Sequence, residues 1–153
     1  MTNEPDLSQL LGDESPPLHF PNGLIGLEDW QEFVLISHPE AGELRLLQSL
    51  QDDRMSLILM DPREVDTNYK ITLTESDAHT LGYTGDYHQP MPKGLDVYCI
   101  LSVQDDPFFV TLNMLGPIII NWETGRGKQV VQANSNYNPR YPIAGTEPEK
   151  GGE

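Results

Sequence analysis

The residues with the greatest potential for chemistry are four histidines and one cysteine, and their spacing matches no standard metal site. They are His19, His38, His79, His88 and Cys99. No two histidines have the i, i+4 spacing of a helical zinc site, and Cys99 lies eleven positions beyond His88. We therefore expect neither a bound metal ion nor another cofactor.

The single thiol has the sequence context of a core residue. Cys99 lies in the run Leu95–Val103, where it shares one face with apolar side chains. A catalytic thiolate needs a partly exposed, electropositive setting, whereas a buried cysteine behaves as a small hydrophobe. The chain also lacks the Gly-x-Ser-x-Gly motif of hydrolases. The sequence offers no convincing enzymatic nucleophile.

Two pairs of carboxylates, Asp52-Asp53 and Asp105-Asp106, are neighbours in predicted turns. Glycosidase-type chemistry needs two carboxylates that face each other across a substrate. Sequence neighbours in a turn point apart into solvent instead. The Gly-Arg-Gly stretch at 125–127 is too short for a phosphate loop and precedes a strand rather than a helix. None of these features makes a convincing active site.

The chain is strongly acidic, with 9 Lys and Arg against 24 Asp and Glu and a formal net charge of −15. Such a surface repels phosphates, so we expect no direct nucleic acid binding. The acidity has two readings: it keeps the protein soluble, or it attracts a basic partner. No apolar run is long enough to span a membrane and no signal peptide opens the chain. We therefore expect a cytoplasmic protein that does not bind membranes.

Short β-type runs separated by Pro and Gly predict an all-β fold. Predicted strands cover 33–37, 44–50, 55–60, 69–73, 95–103, 108–115, 118–122 and 128–132. Helical patterns are confined to 27–33 and 75–83, where Ser76 or Asp77 could cap the second helix and Gly82 could end it. Spacing of this kind is typical of an all-β sandwich or a barrel. Of the two, we predict a small single-domain antiparallel β-barrel-like fold with one or two short helices.

The composition of the two ends differs from that of the middle. Residues 1–17 and 144–153 are polar, acidic and rich in Pro and Gly. Segments of this composition lack the apolar surface needed for folding. We expect a flexible acidic tail at 1–17, a barrel-like domain at 18–143 and a second flexible tail at 144–153.

The stretch 111–121, TLNMLGPIIIN, is apolar but is interrupted by Gly116-Pro117. Proline removes a ladder donor, and glycine in a strand marks a bulge or bend. We interpret the pair as a barrel corner, with one strand ending near Leu115 and another beginning at Ile118. Asn113 and Asn121 flank this corner, where amides can satisfy backbone groups that the break leaves unpaired.

Four blocks of residues, in order along the chain and with sensible gaps, resemble one protein family. They are Phe20–Glu28 with Phe33; Leu47–Leu50 with Asp61-Pro62 and Tyr69; Val110–Met114 with Pro117-Ile118 and Ile120-Asn121; and Gln129–Val131 with Tyr137. Together they are similar to the FliW family of bacterial flagellar assembly factors, over about residues 20 to 143. Each block alone is weakly specific, whereas the ordered set is a strong signal.

The resemblance implies a non-enzymatic regulator of flagellum assembly. Family members bind CsrA, a small basic translational repressor of flagellin, and relieve its repression. They also bind flagellin itself. Two alternatives stay open: a flagellin-binding chaperone without a CsrA role, and a small-ligand-binding β-barrel with a ligand at its mouth.

The resemblance also provides candidate contact residues, which are amides and neighbours of the four blocks. The candidates for partner binding are Gln48, Asn113, Asn121, Gln129 and Tyr137. Each has a competing structural interpretation, because buried amides must be hydrogen-bonded. For Asn113, whose neighbours are apolar, we favour the structural role of holding a bulge together.

Overall fold

The protein is described by a computed structural model that covers residues 13–147. Within residues 13–147, short 3₁₀ turns lie at Pro39–Ala41 and Pro62–Glu64, and an α-helix, α1, lies at Glu75–Leu81. The strands in chain order are β1 (Asp13–Glu14), β2 (Leu18–His19), β3 (Glu32–Ser37), β4 (Leu44–Ser49), β5 (Ser56–Met60), β6 (Leu95–Asp105), β7 (Phe108–Leu112), β8 (Ile118–Asn121), β9 (Arg126–Gln129) and β10 (Tyr141–Gly145).

Seven strands pair into a closed ring, which makes the fold barrel-like. The pairings run β2–β3–β4–β5–β6–β8–β9 and return to β2. All are antiparallel except the last, where β9 meets β2 in parallel through the single pair His19 and Arg126. Strands β7 and β10 extend the sheet outside the ring beside the second half of β6. The predicted all-β class is confirmed.

Side chains on the two faces of the ring form two apolar cores. Alternation along β6 divides them: Val97 and Cys99 face one core, while Tyr98 and Ile100 pack against the other. The inner core fills the ring and consists of Leu18, Phe20, Leu24, Phe33, Leu35, Leu47, Leu59, Ile118 and Ile120. The outer core lies between the sheet, α1 and segment 69–73. On the odd face of β6, Leu95, Val97 and Cys99 are buried as expected, whereas Leu101 is partly buried and Val103 is 49% exposed.

The Gly116-Pro117 corner is a wide bulge between β7 and β8, which both pair with β6. β7 pairs Leu112 with Leu101, and β8 resumes by pairing Ile118 with Tyr98. Five residues, 113–117, thus lie opposite only two residues of β6. The first strand ends at Leu112, three residues before the predicted end, because the backbone of Asn113 already begins the bulge.

Strand pairing extends past both predicted domain boundaries. Asp13 and Glu14 pair with Ser37 and Ile36 of β3, and β10 continues to Gly145. Exposed strands at the edge of a sheet need few apolar residues. Their composition therefore resembles that of a flexible tail, which is why the sequence predicts tails for these residues. The remaining parts of the two predicted tails, 1–12 and 148–153, lie outside the described residues.

The two helical patterns have different outcomes. Residues 75–81 form α1, which ends at Gly82 in the left-handed conformation (φ 64°), as predicted. Its cap is Thr74, two residues before Ser76 and three before Asp77, the predicted caps. The Thr74 side chain accepts from the Asp77 amide, and the Asp77 side chain accepts from the Thr74 amide. The pattern at 27–33 is not a helix, since Leu27 forms an isolated bridge with Leu24 and β3 begins at Glu32.

Candidate functional site

Side-chain hydrogen bonds to the backbone stabilise the described fold, and all five predicted contact residues make them. The bulge at 113–117 illustrates this most fully. The Asn113 carbonyl oxygen accepts from the amides of Leu115 (3.1 Å) and Gly116 (3.0 Å). The amides of Asn113 and Met114 donate to main-chain carbonyls, with Ile100 as acceptor for Asn113. The amides of the bulge are thus satisfied internally, and the structural role of Asn113 is observed.

Gln129 joins the bulge to the loop before β3. Its carbonyl oxygen accepts from the Ile25 amide at 3.0 Å, and its amide nitrogen donates to the Gly116 carbonyl at 2.9 Å. Ile25 and Gly116 are far apart in sequence, so one side chain sets the distance between two surface loops. Gln129 can do so because it lies on β9 facing the same side as Gly127, which packs on Phe20.

An exposed apolar groove lies between the two loops that Gln129 joins. We call it the mouth groove, because Leu27, Leu57 and Ile100, which pack against the inner core, form its floor. Its volume is about 280 Å³. Its walls are Ile25, Asn113, Leu115, Gly116, Gln129, Val131 and Pro139, with Leu24 beneath. Two of the five predicted contact residues therefore meet at one apolar surface.

The other three predicted contact residues lie outside the mouth groove. Asn121 is buried, donates to the Leu81 carbonyl at 2.9 Å and accepts from the Glu123 amide at 3.1 Å. It thereby fixes the C-terminal end of α1 to β8. Gln48 lies on β4 beside the hairpin that leads to β5.

Gln48 and Tyr137 also bind the backbone of their own chain. The Gln48 amide nitrogen lies within 3.2 Å of three carbonyls in the hairpin, those of Ser49, Asp53 and Met55. The Tyr137 hydroxyl pairs with the main chain of Lys70, and its ring stacks on Tyr69 with centroids 4.4 Å apart. The structure does not bring the five predicted residues together into one surface.

Segment 69–73 is extended but is not a strand, contrary to the prediction. Its alternating burial, with Tyr69, Ile71 and Leu73 inside, is that of a strand. Tyr137 and Gln132, however, take the place of a neighbouring strand. The Gln132 side chain accepts from the Thr72 amide at 2.7 Å and donates to the Thr72 carbonyl at 3.3 Å.

The pKa values of the buried groups Cys99 and Asp77 are shifted by burial and by contacts within the fold. Burial raises the pKa of the Cys99 thiol to about 12, despite a contact with the Tyr69 hydroxyl. Burial opposes the ionisation of Asp77, but bonds from Lys128 (2.7 Å) and Thr74 outweigh it and lower the pKa of that carboxyl. Cys99 is thus an inert core residue, as the sequence indicates.

Metal binding finds no support in the geometry of residues 13–147. Within that range, no three His, Cys, Asp or Glu side chains are grouped closely enough to hold a metal ion. Over the same range, no helix has the length and hydropathy required to cross a bilayer.

Sequence reasoning missed the apolar members of the mouth groove. Ile25 is 57% exposed and Val131 48% exposed, both unusual for large aliphatic side chains. Both occur in the blocks singled out above, next to Leu24 and Val130, so position alone could not distinguish them from core residues. Only the fold shows that the β9 end and the loop before β3 meet.

The fold and this groove define the class of protein: a small barrel-like β domain with an exposed apolar groove at one end of its ring. A sequence model of the FliW protein family matches residues 2–143. The chain belongs to the FliW family.

Relatives and a solved structure agree with this assignment. The flagellar assembly factor FliW of Clostridium beijerinckii is 31% identical over 133 residues, covering 87% of this chain and 90% of that protein. The Thermosipho africanus factor is 29% identical, covering 90% and 92%. A crystal structure of a flagellar assembly factor FliW superposes with a TM-score of 0.72 at 28% identity, covering 82% of this chain and 84% of that chain.

Proposed function

We propose that this protein is a cytoplasmic regulator that binds the translational repressor CsrA, relieves repression of flagellin translation and also binds flagellin. Membership of a family of flagellar assembly factors is the observation that carries the proposal. The net charge of −15 supports a basic partner such as CsrA. Of the five predicted residues, Asn113 and Gln129 serve binding by holding the loops around the mouth groove, whereas Gln48, Asn121 and Tyr137 lie outside it.

The alternative of a small-ligand barrel finds little support in the packing. A ligand lodged inside the ring needs an interior cavity, but Phe20, Phe33 and Leu47 fill the inner core with no exposed surface. The mouth groove, at about 280 Å³, lies below the roughly 300 to 1,000 Å³ of typical small-molecule sites, whereas the open depressions beside Tyr137 and Tyr83, at about 560 and 650 Å³, lie within that range.

The test is a calorimetric titration of the purified full chain with purified CsrA at low salt. We expect binding at micromolar concentration or tighter, which weakens as salt rises. No binding at micromolar concentration and low salt contradicts the CsrA proposal. Flagellin, titrated in the same way, tests the second partner separately.

Deletion of the gene distinguishes the regulator from a chaperone that has no CsrA role. Flagellin translation is measured by a reporter fusion and flagellin stability by pulse-chase. The proposal expects reduced translation. Unchanged translation with faster flagellin degradation supports the chaperone alternative instead.

A further inference from the structure

The mouth groove exposes two large aliphatic side chains. Ile25 and Val131 stand on its two sides, 57% and 48% exposed, above partly buried Leu27, Leu57 and Leu115. Contiguous apolar surface of this kind, bordered by polar groups, marks interaction sites in soluble proteins. Single exposed hydrophobic residues elsewhere, such as Val103, lack this arrangement.

The hydrogen bonds that hold the groove open are already formed in the protein without a partner, so they do not have to form on binding. Gln129 bonds both the Ile25 amide and the Gly116 carbonyl, and Asn113 bonds the amides of Leu115 and Gly116. The walls therefore keep their positions without a partner. Such preorganisation reduces the entropy that a binding partner must overcome.

The charge at one end of the groove is acidic. Glu28 accepts from the Gly26 amide at 2.7 Å, which places its carboxylate beside the Ile25 wall, and exposed Asp29 follows it. Arg140 follows Pro139, another residue of the groove, in the sequence. The groove walls themselves carry no charge.

We propose that the mouth groove binds the apolar face of a cationic amphipathic segment of a protein partner, with basic residues of that segment next to Glu28 and Asp29. The proposal rests on the proposed function, for which it specifies the contact surface. The volume of about 280 Å³ suits a few apolar side chains rather than a whole ligand. The local carboxylates and the −15 net charge select for basic residues beside those side chains.

The first experiment uses synthetic helices of about four turns, with leucine on one face and either lysine or glutamate on the other. The full chain is titrated with each by fluorescence anisotropy. We expect the leucine–lysine helix to bind and the leucine–glutamate helix not to bind. Equal binding of both helices, or of neither, overturns the proposal.

Matched variants then locate the site. V131K places a positive charge in the groove wall, whereas V103K makes the same change at a valine that is 49% exposed and outside the groove. We expect V131K to weaken binding of the lysine helix by about tenfold or more, and V103K by less than about twofold. Equal effects of the two variants overturn the assignment.

A second pair of variants tests the charge. E28Q with D29N neutralises the rim while keeping an acceptor for the Gly26 amide, and D105N with D106N removes two charges at the β6–β7 turn. We expect the E28Q/D29N double variant to reduce the salt dependence of peptide binding, and the D105N/D106N double variant to change it less. A greater effect from the turn pair contradicts the predicted orientation.

CsrA titrated against V131K and V103K separates this inference from the proposed function. If wild type binds CsrA and both variants bind equally well, the proposed function holds and the groove is the wrong surface. If wild type fails to bind CsrA yet binds the lysine helix through Val131, the proposed partner is wrong and the groove assignment holds.

Discussion

The Tyr137 hydroxyl makes two hydrogen bonds to one residue: it accepts from the Lys70 amide at 2.8 Å and donates to the Lys70 carbonyl at 2.9 Å. This is the pairing that a residue of a neighbouring β-strand would make. A side chain distant in sequence thus substitutes for a strand along segment 69–73. The stacking of Tyr137 on Tyr69 keeps the hydroxyl in this position.

Tyr137→Phe removes both bonds while it preserves the aromatic stack. Because Lys70 is exposed, water replaces part of the loss, and we expect about 1 kcal/mol of destabilisation in urea unfolding. Hydrogen exchange gives the sharper measurement. The Lys70 amide should exchange faster than in wild type, while the Thr72 amide, bound by Gln132, keeps its protection. Unchanged exchange at Lys70 contradicts the strand-like role of Tyr137.

Asn113→Leu leaves the amides of Leu115 and Gly116 without their acceptor. Unsatisfied donors of this kind cost about 1 to 3 kcal/mol each, so we expect a loss of about 2 kcal/mol or more in urea unfolding. Asn113→Asp is the matched control, because its carboxylate can accept both bonds. Equal stability of Asn113→Leu and wild type would show that the amide does not hold the bulge.

The Asp77–Lys128 pair predicts a pH-dependent contribution to stability. The folded pKa of Asp77 lies below its ordinary value, so its stabilisation is present above the unfolded pKa of about 3.9 and is lost as pH falls through the folded pKa. Asp77→Asn should therefore cost about 1 to 3 kcal/mol near pH 7. The difference from wild type should shrink as pH falls below 4. Asp105→Asn, at an exposed turn, provides the control for loss of a carboxylate.

The single thiol reports on opening of the outer core. Cys99 is fully buried and its pKa is raised to about 12, so the reactive thiolate is scarce at pH 8. We expect a thiol reagent to label the native protein slowly and the urea-unfolded protein at one thiol per chain. Rapid labelling under native conditions would show that segment 69–73 opens readily.

Local patterns predicted the elements whose own residues determine their structure. The alternation of β6, the bulge at Gly116-Pro117 and the left-handed end of α1 at Gly82 all follow from periodicity or from glycine and proline preferences. The cap was misplaced because Ser76 and Asp77 are also good capping residues, and only the reciprocal bonds of Thr74 and Asp77 distinguish them.

The features that the sequence did not reveal depend on contacts between distant residues. Segment 69–73 has a strand pattern, yet Tyr137 and Gln132 occupy its hydrogen-bonding edge. The mouth groove requires the loop before β3 to meet the end of β9, a meeting fixed by Gln129. The amides at Asn113, Asn121 and Gln129, which the sequence suggested as partner contacts, bond the backbone of their own chain. The hydrogen bonds of these side chains to main-chain groups, rather than their exposure to solvent, explain why amide residues occupy these positions.

Closure of the ring through His19 and Arg126 sets the order of events during synthesis. These residues lie near opposite ends of the chain, so a polypeptide emerging from the ribosome cannot close the ring until β9 has been made. Until then the apolar side chains of β3, β4 and β5 lack the covering strands β8 and β9. Domains with such non-local pairings fold slowly and expose strand edges meanwhile. The nascent chain is therefore most vulnerable to aggregation before residue 129 has left the exit tunnel.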